Sequence, residues 1–520
     1  MEHLKNNSFI LKLAIFATGF AGIVAEYVLS TLATYFIGNS VFQWTMIVSL
    51  MLFCMGLGSR LSKLFKTNLI RNFLLLELSL SLIVAFSSVL VYTLAAVSSY
   101  YDIVIYFLSM LVGLLIGLEI PLVVRINEEY EDLKTNISSI LEKDYYGSLL
   151  GGVFFAFIGL PILGLTYTPF ILGLINFFVA CMVFYRFKGK MIKTQLKTML
   201  TIMTVVFITL AAGMSFTDSI ITWGEQKKYK DKVIYANQSK YQKIVLTEWK
   251  NEHWLYLNGN LQFCSIDEEM YHEPLVHPIM QTHPHPQKVL ILGGGDGCAV
   301  REILKYPSVD KIDMVDLDPN MTDLGKNHSV LININEGSMS NDKLTIYNKD
   351  AYVHLEQDNE SFYDVIIIDL PDPRSVELGR LYSHEFYSLC YRKLRPNGLI
   401  ITQSGSPYYA TKAFQCINLT LQSAGFTTVP MHNQVLSMGE WGWIIGTKNK
   451  TLSQEKFKEQ LRGLNFSSIK TKWIHKEAML LLTSFGKKDF FNANVNEVEI
   501  NKIQNPVLYQ YYLDGNWDLY

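Results

Sequence analysis

Asp369 and Asp372 close the run Val365-Ile366-Ile367-Ile368-Asp369-Leu370-Pro371-Asp372-Pro373, in which four β-branched residues lead into two carboxylates set between prolines. The apolar part reads as a buried strand, and the prolines stiffen the loop that follows it. Two carboxylates held this way can seat a cationic amine, and one of them can accept its proton. Three earlier strands end in similar chemistry. Lys288–Leu292 runs into Gly293-Gly294-Gly295-Asp296-Gly297, Lys311–Val315 into Asp316, and Leu344–Tyr347 leads to Asp350.

A strand, a glycine turn and then a helix through Arg301-Glu302-Ile303-Leu304 is the dinucleotide-type arrangement, where missing side chains let a ligand approach the backbone. Asp316 follows Asp296 by about twenty residues, the spacing at which an acidic side chain meets ribose hydroxyls. In an open parallel sheet the carboxyl ends of the strands line one crevice, so the four acidic ends share it. Taken singly, Asp316 and Asp350 read equally as helix N-caps; the ordered set reads as a nucleoside site.

The elements that must position these groups fill only the second part of the chain. Of 520 residues, 49% are hydrophobic and 18% charged, too apolar for an ordinary soluble protein. The excess lies before about residue 216, in apolar runs near 8–30, 41–58, 72–96, 100–124, 146–164, 168–187 and 198–216. The expected organisation is a multi-pass α-helical membrane domain of about seven helices over 1–216 and a linker over 217–235. A small β-hairpin unit over 236–285 follows, then a Rossmann-like α/β domain over 286–450 and a helical extension over 451–520. Asn258-Gly259 supplies the tight hairpin turn of the small unit. In the extension Phe457, Leu461 and Leu464 mark an amphipathic helix, and the aromatic tail Asn505–Tyr512 reads as packing.

Basic residues cluster in the even-numbered short loops, for example Arg60, Lys63, Lys66 and Arg71, which puts the N-terminus in the cytoplasm. Seven crossings then put the C-terminal domain outside, whereas Lys227, Lys228, Lys230 and Lys232 vote for the cytoplasm, so both faces stay open. Glu26, Glu77, Glu119 and Asp144 fall within or at the ends of apolar runs, where a carboxylate needs a partner or a wet cavity. They suit either a cation path or hydrogen bonds between helices. The six cysteines lack CxxC spacing, which argues against a disulfide framework or metal site, and a net charge of −2 gives no basic stripe for nucleic acid.

Together, Tyr241-Gln242, Asp267-Glu268-Glu269-Met270-Tyr271-His272-Glu273, the glycine loop and Asp369-Leu370-Pro371-Asp372-Pro373 resemble the polyamine aminopropyltransferase (spermidine synthase) family over about residues 233–447. The apolar runs, with Phe53-Cys54-Met55-Gly56-Leu57-Gly58 and Leu150-Gly151-Gly152, resemble its membrane-embedded bacterial branch, which implies the bacterial inner membrane. The resemblance implies transfer of the aminopropyl group of decarboxylated S-adenosylmethionine, a co-substrate, to putrescine or a related amine, with no cofactor and no metal. It makes Gly293, Gly294 and Gly295 donor-binding and places Gln242 and Asp296 near the donor's aminopropyl end, Asp316 at its ribose and Asp350 at its adenine amino group. Tyr271, Asp369 and Asp372 match the residues that hold and activate the acceptor, with Gln262 and His272 lining its pocket. The partners implied are a small amine, the lipid bilayer and further copies of the chain.

Three positions depart from the family pattern. Cys298 replaces a glycine, Leu370-Pro371 replaces small hydroxyl residues, and Ser437-Met438-Gly439-Glu440-Trp441-Gly442-Trp443 replaces the late motif, so the acceptor's identity is not carried over. Two alternatives share these features: an S-adenosylmethionine-dependent methyltransferase, and a polyamine-binding or transport protein with a non-catalytic domain.

Overall fold

The computed structural model describes residues 2–38, 40–98, 100–358, 362–486 and 497–517. The chain divides into two compact units, Met1–Val233 and Ile234–Tyr520.

The first unit is helical: α1 (Glu2–Ile37), α2 (Ser40–Leu61), α3 (Leu69–Val97), α4 (Tyr101–Asn127), α5 (Leu133–Phe154), α6 (Gly164–Phe187) and α7 (Lys193–Lys228). Among the described residues, six helical runs are long and apolar enough to cross a membrane. The fifth, Leu133–Lys190, has 58 residues, and a straight helix of that length would reach about 87 Å. It does not run straight. Around Pro161, which has no N–H to donate, the segment Phe155–Leu163 winds as a π-helix, and Gly164 then leaves helical space at φ +64° and ψ −173°. Thr168 Oγ1 donates to the Gly159 carbonyl at 2.6 Å, a contact only a chain that folds back can make. The run is therefore two helices, α5 and α6.

Glycines set four apart let these helices touch through their backbones, which is how apolar helices associate where there is no water to exclude. A Cβ at Gly113 would stand 2.6 Å from the Met51 carbonyl oxygen, and one at Gly117 would collide with that of Met55. Gly147 and Gly151 meet the carbonyls of Phe16 and Phe20 in the same way. Glu77 and Glu119 are fully buried in this bundle, and Thr18 Oγ1 donates to Glu77 Oε1 at 3.1 Å. Asp144 packs on Gly19, and Glu26 is buried.

The expected linker over 217–235 is largely helix. α7 continues to Lys228 because Thr217, Ile221, Gly224 and Glu225 keep a buried face at helical spacing despite the polar composition. Only three residues then separate it from the next strand.

The second unit opens with a four-stranded sheet in the order β1 (Lys232–Gln238), β2 (Lys243–Trp249), β3 (Glu252–Leu257), β4 (Asn260–Cys264). Asn258 and Gly259 both take positive φ, +50° and +81°, as a two-residue hairpin turn requires. The larger sheet contains β5 (Lys288–Gly293), β6 (Lys311–Asp316), β7 (Leu344–Asn348), β8 (Tyr363–Asp369), β9 (Leu394–Gln403), β10 (Thr427–Val435) and β11 (Gly439–Thr447). Their order is β10-β11-β9-β8-β5-β6-β7, with β5 to β9 parallel and β10 and β11 antiparallel.

Alternation along the central strands feeds a core on each face. Val289, Ile291, Val365 and Ile367 enter one cluster, and Leu290, Leu292, Ile366 and Ile368 the other, all with no solvent exposure. Each such side chain contributes about 1.5–3 kcal/mol, which is why the strand ends hold still enough to carry a site. Strand order reverses between β5 and β8, so the loops after them flank the crevice where open α/β sheets bind ligands.

Candidate functional site

The glycine loop is shaped by what lies on either side of it. Gly293 and Gly294 take φ +89° and +72°, and a Cβ on Gly293 would collide with the Asp369 carbonyl oxygen. Gly294 N donates to that oxygen at 3.2 Å. A Cβ on Gly295 would stand 2.7 Å from Asp316 Oδ2. The loop thus threads between the carboxyl ends of β8 and β6. Cys298 lies fully buried at the start of α9 (Cys298–Ile303), where Asp296 Oδ1 accepts its backbone N–H at 2.8 Å.

Asp316 and Asp350 differ in the hydrogen bonds they make. Asp316 Oδ1 accepts the Asp318 N–H at 2.9 Å, and Asp318 caps the next helix by accepting from Asn320 N at 3.0 Å. Asp316 is thereby relieved of capping, and burial pushes its carboxyl up to about 7. Asp350 is the N-cap of Ala351–Gln357, accepting from Val353 N at 3.1 Å, and its other oxygen pairs with Arg380. Gln242 is held beside this region, donating to Asp318 Oδ2 at 3.0 Å.

On the other side of the crevice, α8 (Glu269–Thr282) brings Tyr271 and His272 to Asp369 and Asp296. The Tyr271 hydroxyl donates to Asp369 Oδ1 at 2.7 Å. His272 Nδ1 bonds Glu268 Oε2 at 2.8 Å, and its Nε2 lies 3.9 Å from Asp296 Oδ1. Behind it Arg301 grips Glu268 with two nitrogens at 2.7 and 2.9 Å, the bidentate geometry that suits guanidinium and carboxylate. Burial alone would lower His272, but Glu268 and Asp296 outweigh it and bring the imidazole up to about 9. Burial lifts Asp369, His272 opposes that, and the carboxyl rests at about 6. A carboxylate poised near neutrality beside a buried phenol can exchange a proton with an amine. His272, Asp296 and Asp369 also bring one ligand atom each within 4.8 Å of the others. With His272 protonated, the two carboxylates leave this trio a net charge near −1, which a cationic group can balance.

The loop between the two acids is pinned through its carbonyls. The Tyr382 hydroxyl donates to the Leu370 and Pro371 oxygens at 3.1 Å each, and Gln403 Nε2 donates to Leu370 O at 2.7 Å and to the Tyr382 oxygen at 2.6 Å. Asp372 Oδ2 accepts the Tyr512 hydroxyl at 2.6 Å, so the tail expected only to pack also reaches the site. Gln262 on β4 bonds backbone oxygens of its own strand, those of Asn260 and Leu261. The replaced late segment acts from behind: Ser437 donates to Asp267 through its N and Oγ, at 2.5 and 2.9 Å, and the buried Trp443 ring lies 5.4 Å from that of Tyr271.

The sequence motifs do not single out Glu268, Arg301, Tyr382, Gln403 or Tyr512 as site residues. Gln403 ends β9 at the crevice, so the rule that strand ends line it points there too. No local signal marks Tyr382 or Tyr512.

Residues 268–459 match the spermine/spermidine synthase domain family. Polyamine aminopropyltransferase 2 of Aquifex aeolicus is 43% identical over 506 residues, covering 96% of this chain and 98% of its own. The polyamine aminopropyltransferase of Leptospira interrogans is 38% identical, covering 98% of each. A crystal structure of spermidine synthase with the transition-state analogue AdoDATO is 27% identical at a TM-score of 0.45, covering 50% of this chain and 89% of that one.

Proposed function

Since the chain belongs to the polyamine aminopropyltransferase family, we propose that it moves the aminopropyl group of decarboxylated S-adenosylmethionine to putrescine or a related diamine, from within a membrane. The observation that carries this reading is the pairing of Gly293 against Asp369, which sets the glycine loop and the Tyr271-bonded carboxylate side by side. A donor lying along Gly293, Gly294 and Gly295, with its ribose at Asp316, would present the carbon next to its sulfonium toward Asp369.

The acceptor's neutral nitrogen forms a bond to that carbon as the carbon–sulfur bond breaks. The bonding pair leaves on sulfur, which becomes the neutral thioether of methylthioadenosine. The nitrogen's extra proton passes to Asp369 and then to water. Tyr271 fixes the carboxylate's direction, and alignment of this kind is worth several kcal/mol. His272, held charged by Glu268, keeps Asp369 ionised beside Asp296. Asp372 answers the far ammonium of a diamine, and Asp350 orders the helix beside the adenine end.

The apolar helices of the first unit, with the basic loops between them, support residence in the bacterial inner membrane. Seven crossings put the two termini on opposite faces, and paired N- and C-terminal reporters test this; activity of both on one face would reduce the count to an even number. The enzymatic reading is tested with purified full-length protein, decarboxylated S-adenosylmethionine and putrescine. Equimolar methylthioadenosine and spermidine are expected. Donor consumption that yields N-methylated amine, or no product, would sink it.

A further inference from the structure

Asp372 already has a cation. Its Oδ2 accepts Arg374 Nη2 at 3.3 Å as well as the Tyr512 hydroxyl, and Gln403 Nε2 donates to its Oδ1 at 3.4 Å. Arg374 also donates to Asn260 on β4 and, at 3.3 Å, to the Tyr512 hydroxyl oxygen. Its guanidinium carbon lies 5.4 Å from the Tyr512 ring centre and 6.0 Å from that of Trp517, distances at which a ring face attracts a cation. Tyr512 is fixed in turn. Trp517 packs 4.7 Å from its ring and donates Nε1–H to its carbonyl at 2.7 Å, and Gly405 lies against the ring edge. Gln403 bonds both Asp372 and the Leu370 carbonyl, and Tyr382 bonds the Leu370 and Pro371 carbonyls, so this cluster borders the loop that runs from Asp369 to Asp372.

We infer that Arg374 and Tyr512 set the length of the acceptor, closing the pocket beyond Asp372 so that it takes diamines and turns away longer triamines. The inference rests on the transfer reading above. A diamine's far ammonium must share Asp372 with a guanidinium, and arginine cannot escape that repulsion by losing a proton. A triamine meets a further barrier, since its chain must continue through the space held by the Tyr512 hydroxyl with Trp517 behind it. A clamp that only tied the tail to the loop would leave the choice of amine unchanged.

The test follows methylthioadenosine release from full-length protein in detergent, with decarboxylated S-adenosylmethionine and either 1,4-diaminobutane or spermidine as acceptor. Wild type is expected to favour the diamine by at least about tenfold in kcat/KM, a discrimination within reach of pocket shape alone. Arg374→Gln should lower the diamine KM about threefold and narrow the diamine preference about tenfold, whereas Tyr512→Phe, which loses only a hydroxyl, should narrow it about threefold. An unchanged preference in both variants, with melting temperatures near that of wild type, overturns the inference. So does a raised diamine KM in Arg374→Gln, or a wild type that uses both amines equally. If Arg374→Gln does not fold, Tyr512→Phe decides. No methylthioadenosine from any amine in wild type overturns the transfer reading instead.

Discussion

The glycine loop after β5 and the acidic loop after β8 lie side by side, with Gly293 paired against Asp369, yet they are held in different ways. The first is held at Gly293 and Gly294 chiefly by backbone, with Asn335 and Ser338 gripping the Asp296 and Gly297 carbonyls at 2.7 Å each. Gly293, Gly294 and Gly297 take positive φ, which side chains rarely adopt, a Cβ on Gly293 would collide with the Asp369 carbonyl, and Asp316 ends its own strand. The second is held by side chains from distant segments. Tyr271 lies 98 residues from Asp369, Gln403 33 from Leu370, and Tyr512 140 from Asp372. A surface held by backbone can change little without losing the fold, whereas one held by side chains can change by substitution. Under the proposed transfer, that contrast puts the shared chemistry on the donor side and the choice of amine on the acceptor side.

The contrast is sharpest at Asp369, which belongs to both sides. Asp369→Asn should cost about a thousandfold in kcat, the range for loss of a general base, while donor affinity measured by calorimetry stays near wild type. A variant with near wild-type turnover would remove Asp369 from the chemistry. Gly293→Ala tests the backbone half. It strains a positive-φ position and drives a Cβ into the Asp369 carbonyl, so a loss of about a hundredfold in kcat is expected, as for a misplacement of about 1 Å. An active, stable alanine variant would show that the loop is not fixed by its backbone.

Asp316→Ala should weaken donor binding about tenfold, near 1.4 kcal/mol, with little effect on turnover of bound donor. Unchanged affinity in a titration would make Asp316 a structural acceptor for Asp318 alone. The smallest effect concerns pH. Asp369 must be ionised to take the proton, and its carboxyl lies at about 6, so kcat/KM falls as pH drops through that value. Glu268→Gln removes the anion that keeps His272 charged. With His272 neutral, Asp369 is harder to ionise, and the acid limb moves up by roughly one unit. An acid limb in the same place would show that His272 does not act on Asp369.

The same contrast accounts for what could be read from the chain. The glycine loop and the acids at the strand ends were legible because alternation marks the strands and the loop chemistry follows each one directly. Asp350 shows the limit. A cap and a ligand have the same sequence signature, and only the fold shows Asp350 accepting from Val353 N and pairing with Arg380 while Asp318 takes the capping duty next to Asp316. The helix over 217–228 was hidden by lysines and polar residues that composition reads as linker, although its buried face keeps helical spacing. Tyr382 and Tyr512 reach the acidic loop through tertiary packing, which no local pattern encodes. Arg374 follows Asp372 by two residues, but the contacts that give it a role, Asn260 and Tyr512, come from elsewhere.

The hydrogen bond from Gly294 N to the Asp369 carbonyl makes the separation of cradle and base a property of strand spacing, about 4.8 Å between neighbours. The pairing fixes the Asp369 backbone, and Tyr271 sets where its carboxylate points. The sheet works as a ruler laid between electrophile and base, and mutation cannot move its marks without unpairing two central strands. If Arg374 and Tyr512 set acceptor length as proposed, they can change while the strand pairing that places Asp369 stays the same.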